Sequence, residues 1–240
     1  MSQRAVFASA AMLLLAGAAY AGPVFVGTTT LNKSYGTDIS GGGEMQATTA
    51  GLSISVRSLG EVAGKFETFC LEEHELISFD VPFKADLNDR SVADGSAASP
   101  YFPNNFGGIQ DPVSDATAYL YSQFIQGTLA GYHYANGTQA EKDARAQDAL
   151  AVQQAIWVLE NERAALDAGV NSSFLNLAIL AVTVGGYKNN GVAALNLYYN
   201  NTAGGRVDRQ DILVMVPLPA ASFAGLTTLG GLALIRRRRA

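Results

Sequence analysis

With 240 residues, 48% apolar and only 15% charged side chains, the chain holds enough core for one ordinary domain and is excluded from the disordered, highly charged class. Its net charge of −5 hides a segregation: five of the 16 basic residues lie at the ends, at Arg4 and at Arg236, Arg237, Arg238 and Arg239, which leaves 11 bases against all 21 acids between residues 22 and 235. So acidic a body repels phosphate backbones, which excludes nucleic acid as a partner.

The first 21 residues carry one positive charge, Arg4, followed by an uncharged run rich in Ala, Leu and Met. Ala19 and Ala21 put small residues at the −3 and −1 positions of a cut between Ala21 and Gly22, so residues 1–21 are expected to be a secretion signal. Residues 22–213 then form the extracytoplasmic body, and residues 214–240 a tail.

The strand signals come first. Residues 24–31 and 47–56 alternate apolar with small or polar side chains, and 65–71 and 76–81 follow as further strands. Gly41, Gly42 and Gly43, with Gly60 and Gly64, read as turn punctuation, since no Walker lysine accompanies them. Residues 82–112 lack a period and read as a long loop. Its Asp86, Asp89, Asp94 and Asp111 do not follow calcium-loop spacing, so a solvated acidic loop is expected.

Beyond Pro112 the spacing predicts helices over 113–130, 140–168, 173–184 and 192–199, with a last short strand at 212–216. The stretch 149–159 is apolar nearly all round, which marks a central buried helix and leaves Gln153 and Gln154 out of place there. The expected fold class is α+β: N-terminal β-strands followed by a helical region, plus a C-terminal single hydrophobic helix.

That last helix comes from residues 212–235, which contain no charge and stop abruptly at the four arginines. Pro217 and Pro219 confine helix to residues 220–235, about 24 Å at a rise of about 1.5 Å per residue, a marginal membrane span. Arg236, Arg237, Arg238 and Arg239 act as a membrane stop on the cytoplasmic side. The order Val216, Pro217, Leu218, Pro219, Ala220, apolar helix, arginines looks like the VPLPA variant of the PEP-CTERM sorting tail. The resemblance implies an exosortase-type sorting protease as partner. It also implies a protein tethered to the inner membrane of a Gram-negative-type bacterium by its C-terminal helix, then delivered to the cell surface or matrix. An ordinary tail anchor that is never cut is the other reading.

Catalytic motifs are missing: His74 and His133 are the only histidines, and neither a Gly-x-Ser-x-Gly elbow nor a His-Glu-x-x-His pair occurs. The chain is therefore not expected to be an enzyme, to bind a metal or to need a cofactor. The lone Cys70 cannot form an internal disulfide and reads first as a small buried hydrophobe. Yet Phe69-Cys70-Leu71-Glu72 on an expected strand, with Val152-Gln153-Gln154-Ala155-Ile156-Trp157 on an expected helix, resembles the TQXA-type thioester domains of bacterial surface adhesins. The resemblance implies an internal thioester between Cys70 and Gln153, with Gln154 the variable position and Ala155 the small one. A thiolate would expel ammonia from the glutamine amide, and an amine-bearing surface target would later open the bond. In the plainer reading both glutamines bond loop backbone, Trp157 anchors the core and Cys70 is inert.

Overall fold

The alternating residues at the start of the body form β1 (Val24–Lys33). In the computed structural model, which describes residues 23–37, 42–73, 75, 77–91 and 112–217, three strands follow it: β2 (Met45–Thr48), β3 (Lys65–Thr68) and β4 (Pro82–Asn88). Helices α1 (Asp115–Ile125), α2 (Gln139–Glu160) and α3 (Ser173–Thr183) come next, and the chain returns to the sheet as β5 (Val192–Asn200) and β6 (Arg206–Met215). The class is mixed α+β, with the helices inserted between two sets of strands.

All neighbours in the sheet are antiparallel, in the order β3-β2-β1-β4-β5-β6. The two outer strands also meet. Past Thr68 the chain lies against β6: Cys70 bridges Ile212, the Leu71 N–H donates to the Asp211 carbonyl at 2.8 Å, and the Leu213 N–H donates to Phe69 at 3.1 Å. Closing a sheet on itself satisfies backbone groups that an open edge would leave to solvent. The Thr68 hydroxyl adds a bond to the Leu213 carbonyl at 2.6 Å.

Closure produces two cores with opposite parity. Every strand sends residues inward: Val26 and Leu31, Met45 and Ala47, Phe66, Phe83 and Ala85, Leu195 and Leu197, Ile212 and Val214, with Cys70 and Trp157 among them. The outward residues Phe69, Leu71, Val192, Ala194 and Leu213 join α1, α2 and α3 in a second cluster. One glycine sets the β1 parity. Gly27 sits at a bulge with φ +124°, and a Cβ there would lie 2.0 Å from the Gly51 carbonyl oxygen that the Thr28 N–H binds, so only glycine fits.

The central helix is built as its pattern demands. Thr138 caps it in a reciprocal box with Glu141, Asn161 ends it in the left-handed conformation at φ 77°, and its second half is buried almost without interruption. It stops at Glu160, short of the expected 168, and α1 is likewise shorter than 113–130.

Four local expectations are corrected. Residues 192–199 are not a helix but β5. Both faces of this strand are buried, one under the helices and one inside the barrel, which erases the one-sided alternation that marks a strand. Residues 82–112 are not wholly a loop, because β4 lies between β1 and β5; Pro82 stands at its first residue, where proline is tolerated. The polar look of β4 comes partly from Asp86, which is not solvated but buried against Arg206 at 2.5 Å. Residues 49–56 are turns and bends that follow β1 through Ser53 and Gly51, and residues 77–81 are irregular, with Asp80 at φ 60° bonded to Leu31 and Asn32.

At the C-terminal end β6 runs to Met215, two residues past the expected end of the body. The Val216 N–H donates to Gly191 at 2.8 Å, and Met215 accepts from Arg57 at 2.9 Å. Val216 is thus folded against the inner core, and Pro217 is the last described residue. Leu218, Pro219, Ala220, the 220–235 helix, Arg236, Arg237, Arg238 and Arg239, and the leader with Ala21 and Gly22, lie outside the described residues, as do His74, Asp94 and Asp111. Among the described residues no helix is long and apolar enough to cross a membrane.

Candidate functional site

Cys70 stands at the seam where the barrel closes, 4% exposed and with its side chain in the inner core. Among the described residues its backbone N–H and C=O have no ladder partners on the side facing α2, and a side chain from that helix takes their place. The Gln153 Oε1 accepts from the Cys70 N–H at 2.9 Å, and the Gln153 Nε2 donates to the Cys70 carbonyl at 2.9 Å. The amide of a residue 83 positions away therefore pairs with the peptide of the cysteine as a neighbouring strand would. Gln153 is wholly buried, so both its polar ends need these bonds.

The adjacent glutamine faces elsewhere. Gln154 donates to the Asp167 carboxylate at 2.7 Å and accepts from the Asp167 N–H at 2.9 Å, which staples the α2–α3 connection. Successive helical residues point about 100° apart, so only one of the two can reach the seam. Ala155 packs in the helical cluster, and Trp157, one turn beyond Gln153, points into the inner core beside Cys70.

A residue that pattern reading treats as punctuation completes the arrangement. Gly42 has φ +81°, and a Cβ there would come within 2.6 Å of Gln153 Cγ and 2.9 Å of Trp157 Cη2. Bare backbone thus covers the glutamine side chain, and any larger residue would displace it. No spacing rule announces this contact; the cluster Gly41-Gly42-Gly43 was its only trace in the sequence.

Next to the seam opens a cavity of about 380 Å³ whose walls include Cys70, Trp157, Gly42, Glu73, Glu75 and Gln210. The Trp157 Nε1 is buried with no hydrogen-bond partner among the described residues. Burial, and then the negative charge of Glu75, push the Cys70 thiol far above its ordinary range, so it rests as the neutral thiol. Glu73 is held by Arg163, whose Nε lies 3.1 and 3.0 Å from its two oxygens. The Glu72 carboxyl is also raised, by burial first and then by the charge of Glu162. Among the described residues no group of three or more His, Cys, Asp or Glu side chains is placed to hold a metal ion.

Chemically, the seam holds a sulfur atom, a carboxamide whose oxygen already accepts a backbone N–H, and a buried environment next to an open volume. These are the parts an acyl transfer to sulfur needs. Comparison with protein-family models, curated proteins and solved structures returns no match.

Proposed function

We propose that this is an exported surface protein, held at the membrane by its C-terminal tail until an exosortase-type protease acts near Val216 to Ala220, and that its folded body stores an internal thioester between Cys70 and Gln153. The observation that carries the second part is the pairing of the Gln153 amide with the Cys70 peptide, at 2.9 Å on both sides. A purely structural glutamine would fill the same role, but nothing in that role calls for a cysteine as the paired residue or for a cavity beside it.

The Cys70 N–H polarises the Gln153 carbonyl and would steady the oxyanion formed when sulfur adds, after which the amide nitrogen leaves as ammonia. Burial shields the product from water, and the cavity is the route by which an amine on a target surface would reach it. Such a protein attaches once and does not turn over, so it works as an adhesin and not as an enzyme. The arginines and prolines of the tail supply the tether, in keeping with an acidic body outside the cytoplasm.

Intact-mass measurement of the mature protein tests the reading. A thioester lowers the mass by one ammonia, about 17 Da, and leaves Cys70 unreactive to thiol reagents until an amine is added. A full mass, together with a thiol that alkylates on unfolding, would remove the thioester and leave the plainer structural reading.

A further inference from the structure

Closure of the bond has an unsolved requirement: a neutral, buried thiol must lose its proton, and a poor leaving group must gain one. Among the described residues that line the cavity with Cys70, the ionisable side chains besides the thiol itself are Glu73 and Glu75. Glu73 is engaged by Arg163 through both oxygens. Glu75 is held on the strand beside the thiol. Its Oε2 accepts from the Asp211 N–H at 2.9 Å, and Asp211 precedes Ile212, the residue that bridges Cys70 across the seam. The carboxylate is therefore tied to the strand next to the thiol, on the cavity side, and its charge is felt at the sulfur.

We propose that Glu75 is the general base that closes the Cys70–Gln153 thioester, an assignment that rests on the thioester reading above. The Glu75 carboxylate takes the proton from Sγ as the bond from Sγ to the Gln153 Cδ forms. It returns that proton to Nε2 as the bond from Cδ to Nε2 breaks. Thiol and carboxamide go to thioester and ammonia, and Glu75 ends as it began. The same carboxylate takes a proton from an incoming amine when the bond is opened from the cavity, since opening retraces the closing path.

The test follows closure in time. Ammonia opens the thioester and restores Gln153; after its removal, intact mass records the return of the deficit of about 17 Da. Glu75→Gln is expected to slow this return by about 10²- to 10⁴-fold, the usual worth of a positioned base. In Glu75→Ala, which empties part of the cavity, added formate is expected to recover much of the lost rate, which a merely structural residue would not allow. Closure of Glu75→Gln at the parent's rate would overturn the assignment, and so would a slow Glu75→Ala that formate leaves unchanged. A parent that never shows the deficit would overturn the thioester reading and the assignment with it.

Discussion

Arg145 and Gln153 lie eight positions apart on α2, and each crosses to the N-terminal strands, but they spend their polar groups in opposite ways. Arg145 is fully buried, and its Nε and Nη2 sit 2.9 and 2.7 Å from the two oxygens of Glu44. Its Nη1 serves Glu61 at 2.5 Å and the Tyr134 carbonyl at 2.9 Å. The Tyr35 ring stacks 4.2 Å from the guanidinium, and Tyr132 donates to Glu44 at 2.7 Å. Everything there is paired, and the cluster is a rivet. Gln153 makes two neutral bonds to one peptide and lies beside a thiol and an open cavity. The contrast teaches where reactivity can reside: strong charge pairing consumes a buried polar group, whereas neutral pairing leaves its carbonyl carbon open to attack.

The largest test of this contrast breaks the rivet. Arg145→Met strands the buried Glu44 carboxylate and is expected to cost about 3–5 kcal/mol in urea denaturation. Adding Glu44→Gln should recover part of that loss, because the uncompensated charge is then gone. A cost under about 1 kcal/mol for the single change would show that the cluster relaxes or admits water, contrary to its complete burial.

The seam should respond less. In a Cys70→Ala background, where no covalent bond can form, Gln153→Ala leaves the residue 70 N–H and C=O without partners and is expected to cost about 2–3 kcal/mol. Gln154→Ala in the same background should leave the seam intact and loosen only the Asp167 connection. Its signature is amide exchange that quickens around Asp167 and stays slow at residue 70. Equal exchange at both places would mean that the two glutamines do not divide their work as described.

A smaller effect sharpens the picture of the acids beneath the seam. Burial and the charge of Glu162 raise the folded-state pKa of Glu72, so the fold favours its protonated form. That contribution is complete below the ordinary carboxylate range and is lost as the pH climbs toward the raised value. Between pH 5 and pH 8 the parent should therefore lose about 1–2 kcal/mol relative to Glu72→Gln, which carries no such charge. Urea midpoints of both proteins at the two pH values check this. A difference that stays flat with pH would mean that Glu72 is ionised and paired in the fold.

How far these features were readable varies with the residues. The apolar run 149–159 and the helical spacing at 140–168 and 173–184 announced α2 and α3, because a helix advertises its period within a few residues. The Cys70 and Gln153 motifs were readable only through their resemblance to a known pair, since nothing in either segment points to the other across 83 positions. Gly42 was legible as a turn and illegible as the lid on Gln153. Asp86 looked like loop charge because its partner Arg206 lies 120 positions away on another strand.

By itself the sequence determined the acidic body, the strands β1 and β3, the central helix and the presence of one cysteine and two misplaced glutamines, because these follow from composition and short-range period. Only the tertiary structure decided that residues 192–199 are a strand, since burial on both faces hides the alternation. It alone decided that the sheet closes at Cys70, because closure depends on β6 returning after three helices. That closure in turn selects Gln153 over Gln154: both have the same chemistry, but a helix turns about 100° per residue, and only one of the two directions meets the seam.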